Sequence, residues 1–206
     1  MMKLKIFDEN IAQVNSYLLI KKKHAILLDP GFNGNDIIKY CKEHEILIDH
    51  IILTHGHFDH IKGIELIYKE FSFDLFVSKE DKKLLFNDEY NYAKPFGSQF
   101  KLPTGISVIE VRDKEVIKIF DEPFKIFKTP GHTKGSICIS YQKLLFTGDT
   151  LFYDSIGRTD LYSGNNIDIN KSLDLLRRNF SNEVTIYPGH GKSGKMKSVK
   201  EVNPYL

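Results

Sequence analysis

The chain has 206 residues, with 29 Lys and Arg against 27 Asp and Glu and a formal net charge of +2. At 41% hydrophobic and 27% charged residues it can bury a core and falls outside the disordered class, while its near-neutral balance offers no field for gathering nucleic acid. No apolar run approaches the roughly 18 residues of a membrane span, and the opening residues meet Asp8 and Glu9 before any signal-like region builds up. Cys41 and Cys138 lie far apart and form no C-x-x-C pair, as expected in a reducing compartment. The reading is one domain over residues 1–206, cytoplasmic, with no nucleic-acid or membrane partner, as a monomer or homodimer.

The first apolar runs, 4–7, 16–20 and 25–28, read as strands, with Lys21, Lys22 and Lys23 in a solvated hairpin turn. The cluster Asn33-Gly34-Asn35 predicts a helix start, after which Ile37, Ile38 and Cys41 share a face. A buried strand over 50–54 leads through a polar loop to a helix marked by Ile61, Ile64, Ile67 and Phe71. A short strand at 75–77 and a short helix at 80–86 follow, and 87–105 is a long irregular loop of a kind kept for function or left mobile. Strands recur at 107–111, 116–120, 124–128, 137–141 and 143–146. Ile169, Leu173, Leu176 and Phe180 mark a last helix, and 184–187 a closing strand. Helices within and after groups of strands predict sheets covered by helices, an α/β (α+β) class without internal repeats.

Three histidines occur in six residues, Thr54-His55-Gly56-His57-Phe58-Asp59-His60. Imidazole and carboxylate are preferred ligands of zinc and other divalent ions, and a bend after a buried strand can aim several at one place. An open catalytic site takes about three protein ligands, so four candidates in one loop suggest two metals, or one metal with outer partners. Two strand ends then carry Pro-Gly-His: Pro130-Gly131-His132 and Pro188-Gly189-His190. Proline and glycine fix a tight turn that holds a ligand rigidly. Gly148-Asp149-Thr150 closes another apolar run, and the two oxygens of Asp149 suit it to bridge two cations.

This ordered set, with Leu28-Asp29-Pro30-Gly31 before it, resembles the metallo-β-lactamase-fold hydrolases from Asp29 to His190. Within them it looks most like the glyoxalase II branch and its short, single-domain relatives, on Gly148-Asp149-Thr150-Leu151-Phe152, Ser155-Ile156-Gly157-Arg158-Thr159-Asp160-Leu161 and the tail Asn203-Pro204-Tyr205-Leu206. The resemblance implies a four-layer αββα sandwich. It implies two divalent ions, zinc first, with iron or manganese as alternatives. One would take His55, His57 and His132, the other Asp59, His60 and His190, with Asp149 and a hydroxide between them. Asp29 would be structural or stand behind the ligands. The implied reaction is hydrolysis of a small thioester or ester of the hydroxyacylglutathione type, in which Asp59 orients the attacking hydroxide. β-Lactamases of the fold usually place cysteine or serine where Asp149 stands, which disfavours that activity.

Arg158 is a candidate to clamp a substrate carboxylate, with an ion pair to Asp160 as the alternative, and Lys134 is a second candidate contact. The aromatics Phe86, Tyr90, Tyr92, Phe96 and Phe100 are candidates for a lid or pocket wall, with packing of the loop onto the domain or a dimer contact as alternatives. His24, His44 and His50 lie outside every motif. A different reaction, by a sulfur-oxidising dioxygenase of the same fold, would use one iron on His55, His57, His132 and Asp149 or a subset. Nuclease and non-catalytic readings fit less well, the first because no segment has the charge or length of a nucleic-acid arm.

Overall fold

The computed structural model describes residues 2–206. The chain forms two compact units: the first comprises residues up to Val77 with Lys82–Glu110, the second Ser78–Asp81 with Val111–Leu206. Each is built on a mixed six-stranded sheet, so the fold is mixed α/β.

In the first unit β1 (Lys3–Phe7), β2 (Ser16–Lys21) and β3 (His24–Leu28) form an antiparallel meander. The β2–β3 hairpin turns at Lys22, whose φ is 60°, with Lys22 and Lys23 exposed. Helix α1 (Gly34–Glu43) then crosses over to β4 (Leu47–Ile52), parallel to β3, and β5 (Asp74–Ser78) is parallel to β4. β6 (Ser107–Val111) closes the sheet. β3 is buried along Ala25, Ile26, Leu27 and Leu28, the continuous apolar run of a strand covered on both faces. Ile37 and Cys41, one turn apart on α1, join Leu27, Ile51, Ile64 and Leu75 in the core of this unit. Each such side chain contributes about 1.5–3 kcal/mol by leaving water.

The single helix expected from the spacing of Ile61, Ile64, Ile67 and Phe71 is divided into α2 (Phe58–Ile61) and α3 (Ile64–Ile67). The break has a physical cause at Gly63. Its N–H donates to the carbonyl of Pro30 at 2.6 Å, and a Cβ there would stand 2.6 Å from the carbonyl oxygens of Pro30 and Gly31. The apolar period survives because both short helices face the same core.

In the second unit β7 (Val116–Ile119), β8 (Glu122–Lys128), β9 (Ile137–Tyr141) and β10 (Leu144–Gly148) form antiparallel hairpins. Phe120 and Asp121, both at positive φ, make the tight two-residue turn between β7 and β8. Helix α4 (Asn166–Asn179) leads to β11 (Thr185–Pro188), which pairs parallel with β10, and β12 (Gly194–Lys195) and α5 (Met196–Val202) follow. The Asn165 side chain caps α4 by accepting from the N–H groups of Ile167 and Asp168, and Arg177 and Arg178 suit its negative C-terminal end. Ile169, Leu173 and Leu176 bury the inner face of α4 among Phe127, Leu145, Ile186, Met196 and Val199. The sequence pattern did not single out β12 or α5, which are too short to display a period.

Candidate metal centre

The first unit carries His55, His57, Asp59 and His60 in the loop and short helix that follow β4. Because β3 and β4 are parallel, their C-terminal ends share one sheet edge, and the residue that leaves β3 there is Asp29. Asp29 is 1% exposed and sits at φ 49°, a left-handed conformation that Asp tolerates better than most residues. Its Oδ1 accepts from the Thr54 N–H at 2.8 Å, and its Oδ2 accepts from Thr54 Oγ1 at 2.6 Å and from His60 Nδ1 at 2.9 Å. An ionised carboxylate only accepts, so His60 carries its proton on Nδ1 and presents Nε2. The same logic extends one step further. Thr54 Oγ1 gives its proton to Asp29 and lies 3.1 Å from His55 Nδ1, which therefore donates to it and leaves Nε2 as the ligand atom. One buried acid thus sets the tautomer of two imidazoles.

His55, His57 and His60 are all buried, and their rings pack closely, with centroids 4.8 Å apart for His55 and His57 and 4.1 Å for His55 and His60. Asp59 is a third exposed, and its Oδ2 lies 3.8 Å from His60 Nε2. Of the loop aromatics, Tyr92 meets the His57 ring edge-on at 5.4 Å, Phe100 enters the core, and Phe86 and Phe96 are exposed. Asn91 anchors that segment, its carbonyl accepting from the Phe58 N–H at 2.7 Å.

The second unit brings His132, Asp149 and His190 to one edge of its own sheet. β8 and β10 run in the same direction, each antiparallel to β9, and β11 is parallel to β10, so three C-terminal strand ends lie on one side. His132 follows β8 through Gly131, where φ is 143° and a Cβ would stand 2.4 Å from the backbone of Ile169; only glycine fits. The His132 Nδ1–H donates to the Arg158 carbonyl at 2.7 Å, which turns Nε2 toward Asp149. Asp149 Oδ2 stands 3.5 Å from His132 Nε2 and 3.6 Å from His190 Nε2. The Gly189 N–H donates to the Gly148 carbonyl at 2.9 Å and keeps the last two strand ends in step.

These separations fit metal ligation. Two donors bound at 2.0–2.2 Å to one tetrahedral ion stand about 3.3–3.6 Å apart. Asp149 makes that separation with an imidazole on either side, as a carboxylate shared by two ions would, and Asp59 with His60 is only slightly wider.

The remaining candidates fall elsewhere. The Arg158 guanidinium makes a two-pronged ion pair with Asp160, both bonds 2.7 Å, and that pairing draws the exposed Asp160 carboxyl down to about 2. Lys134 is exposed, with its backbone N–H donating to Ser163 Oγ at 3.1 Å. His24 pairs with Asp49, His44 with the Tyr40 carbonyl and His50 with Asp74, and burial holds the His50 imidazole below its usual range. Lys192, not singled out by the sequence, lines a cavity of about 480 Å³ with His190, Phe152 and Tyr153, and its ammonium lies 4.0 Å over the Tyr153 ring. Its only sequence signal is its place two residues after Pro-Gly-His.

A model of the metallo-β-lactamase superfamily matches residues 10–190. The chain belongs to this superfamily. A probable metallo-hydrolase of Methanocaldococcus jannaschii is 40% identical over 186 residues, covering 87% of this chain and 88% of that protein. A hydroxyacylglutathione hydrolase of Haemophilus influenzae is 31% identical over 191 residues, covering 90% and 88%. The crystal structure of the B3 metallo-β-lactamase BLEG-1 superposes with a TM-score of 0.90 at 28% identity, covering 99% of both chains. The expected metallo-β-lactamase fold is therefore observed. The chain is a metallo-β-lactamase-superfamily hydrolase, and its His/Asp donor set implies divalent metal ions. No helix among the described residues is long and apolar enough to cross a membrane.

Proposed function

We propose that this hydrolase is dinuclear and cleaves small thioesters. Its two ions, zinc in the first instance, would take His55, His57 and His132 and Asp59, His60 and His190 as ligands, with Asp149 available to both. The observation that carries the reading is Asp149 Oδ2 standing at the spacing of two donors on one ion from both His132 Nε2 and His190 Nε2. The thioester class is supported by the hydroxyacylglutathione hydrolase among the relatives. The buried free thiols of Cys41 and Cys138 suit the cytoplasm.

A bound pair of divalent ions supplies Lewis acidity, lowering the pKa of an attacking water and polarising the acyl carbonyl. The residues do the positioning. Asp59, the most exposed ligand of its loop, accepts a hydrogen from the attacking water and fixes its line of approach. Asp29 and Thr54 keep His60 and His55 protonated on Nδ1, so neither ring can turn its N–H toward the reacting atoms. The cavity beside His190, walled by Phe152 and Tyr153, has room for an acyl or thiol portion.

The test is anaerobic zinc titration of metal-stripped protein, followed by S-lactoylglutathione hydrolysis. Turnover that saturates near two zinc per chain is expected. Hydrolysis of a chromogenic cephalosporin but no thioester would move the substrate class to β-lactams. Oxygen uptake on glutathione persulfide with one iron and no thioester turnover would replace the reaction altogether.

A further inference from the structure

We propose that Asp81 is a positioning residue for His132: its buried carboxylate fixes the turn that aims the imidazole. This rests on His132 being a metal ligand. Asp81 lies just beyond β5, in the four-residue segment that belongs to the second unit, and is fully buried. A buried carboxylate is costly to desolvate and is kept only where hydrogen bonds compensate it. Here both oxygens point at the residues directly after His132. Oδ2 accepts from Thr133 Oγ1 at 2.7 Å, and Oδ1 accepts from the Gly135 N–H at 2.9 Å.

The contacts continue through the turn. Thr133 Oγ1 lies 2.8 Å from Ser136 Oγ, which also accepts from the Thr133 N–H at 3.1 Å, and the Gly131 N–H donates to the Thr133 carbonyl at 2.9 Å. A Cβ at position 135 would stand 2.3 Å from Asp81 Oδ1, so glycine is what lets the backbone reach the acid. On its other side the turn presses Gly131 against Ile169 of α4. The His132 backbone is therefore clamped between a helix and a buried anion, while the Arg158 carbonyl sets its ring. Asp81 orients a ligand through the main chain, where Asp29 orients one through the ring.

Outer partners of this kind are worth about 10- to 100-fold in metal affinity. Zinc binding, measured by competition with a chromophoric chelator, is compared in wild type, Asp81→Asn, Thr133→Val and Thr133→Ser, alongside the melting temperature of each metal-free protein. Asp81→Asn and Thr133→Val should lose about 10- to 100-fold in affinity for one of the two zinc ions, and Thr133→Ser, which keeps the hydroxyl, should not. Wild-type affinity in both variants, with only the metal-free melting temperature lowered, would reduce Asp81 to a structural brace and overturn the proposal. If Asp81→Asn does not fold, the Thr133 pair decides on the same criterion. Wild-type protein that takes up no zinc would refute the metal centre itself, and the positioning role with it.

Discussion

Asp29→Asn isolates the tautomer that Asp29 imposes. Asparagine keeps the size of the side chain and tolerates φ 49° as aspartate does, so the backbone need not move. The Thr54 N–H cannot rotate away, so the amide oxygen must stay opposite it and the amide nitrogen must take the place of Oδ2. That nitrogen donates. His60 Nδ1, 2.9 Å from Oδ2 in the native chain, must then accept, and its proton moves to Nε2, the atom needed as a ligand. Restoring the ligating tautomer leaves two buried donors facing each other, at the cost of roughly one charge-assisted hydrogen bond, about 1.5–3 kcal/mol. Since about 1.4 kcal/mol is tenfold in an equilibrium constant, affinity at the His60 site should fall about 10- to 100-fold. The assay is chelator competition for zinc, with ¹⁵N NMR of the imidazoles in metal-free protein to read the tautomer. An affinity within twofold of wild type, with the proton still on His60 Nδ1, would refute the reasoning.

Asp59→Asn should lower turnover by about 10²–10⁴-fold while the fold survives, because the side chain is a third exposed; turnover within threefold of wild type would remove Asp59 from the reaction. Gly157→Ala should both destabilise the protein, by about 1–3 kcal/mol in urea unfolding, and reduce bound zinc. Its Cβ would stand 2.0 Å from the Asp149 carbonyl oxygen and 3.0 Å from His132 Nδ1, so full zinc content in a destabilised variant would sink that explanation. Burial pushes the Cys138 thiol up to about 12, from 9.0 for a free thiol. A folded pKa above the unfolded one means its stabilising contribution is complete below about pH 9 and drains as pH rises toward 12. The urea midpoint of wild type should therefore lose ground to Cys138→Ala between pH 8 and pH 10.5, and a constant gap would contradict the burial effect.

The candidate ligands were visible in the sequence because they sit at strand ends, where the apolar pattern stops and short polar motifs begin. His55, His57, Asp59 and His60 are neighbours in the chain, and Gly131 and Pro188 flag the two isolated histidines. Once β8, β10 and β11 prove to run the same way, placing His132, Asp149 and His190 together needs no further information. What escaped the sequence depends on distant partners. Thr133 and Asp81 are 52 residues apart, and no local period records their contact. The division of the α2–α3 segment was hidden likewise, because the carbonyl that captures the Gly63 N–H belongs to Pro30. Arg158 shows the converse. Its side chain is the sequence's candidate clamp for a substrate carboxylate, yet its contact with a ligand is through its carbonyl oxygen, which any residue would supply.

Asp29 and Asp81 repeat one device in the two units. Each leaves the C-terminal end of a parallel strand, each is buried, and each spends its oxygens on a threonine hydroxyl and a backbone N–H. They differ in what they fix. Asp29 touches the His60 ring and so sets a protonation state, whereas Asp81 holds the turn after His132 and so sets a backbone position. Loss of the first is a fixed penalty on imidazole tautomers, and raising the zinc concentration by the same factor should restore occupancy and with it activity. Loss of the second misplaces a ligand even when the ion is bound, so turnover at saturating zinc should stay low. Turnover of Asp29→Asn and Asp81→Asn, each measured at saturating zinc, separates the two roles, and equal recovery in both would mean that His132 is held by its ring contact to Arg158 alone.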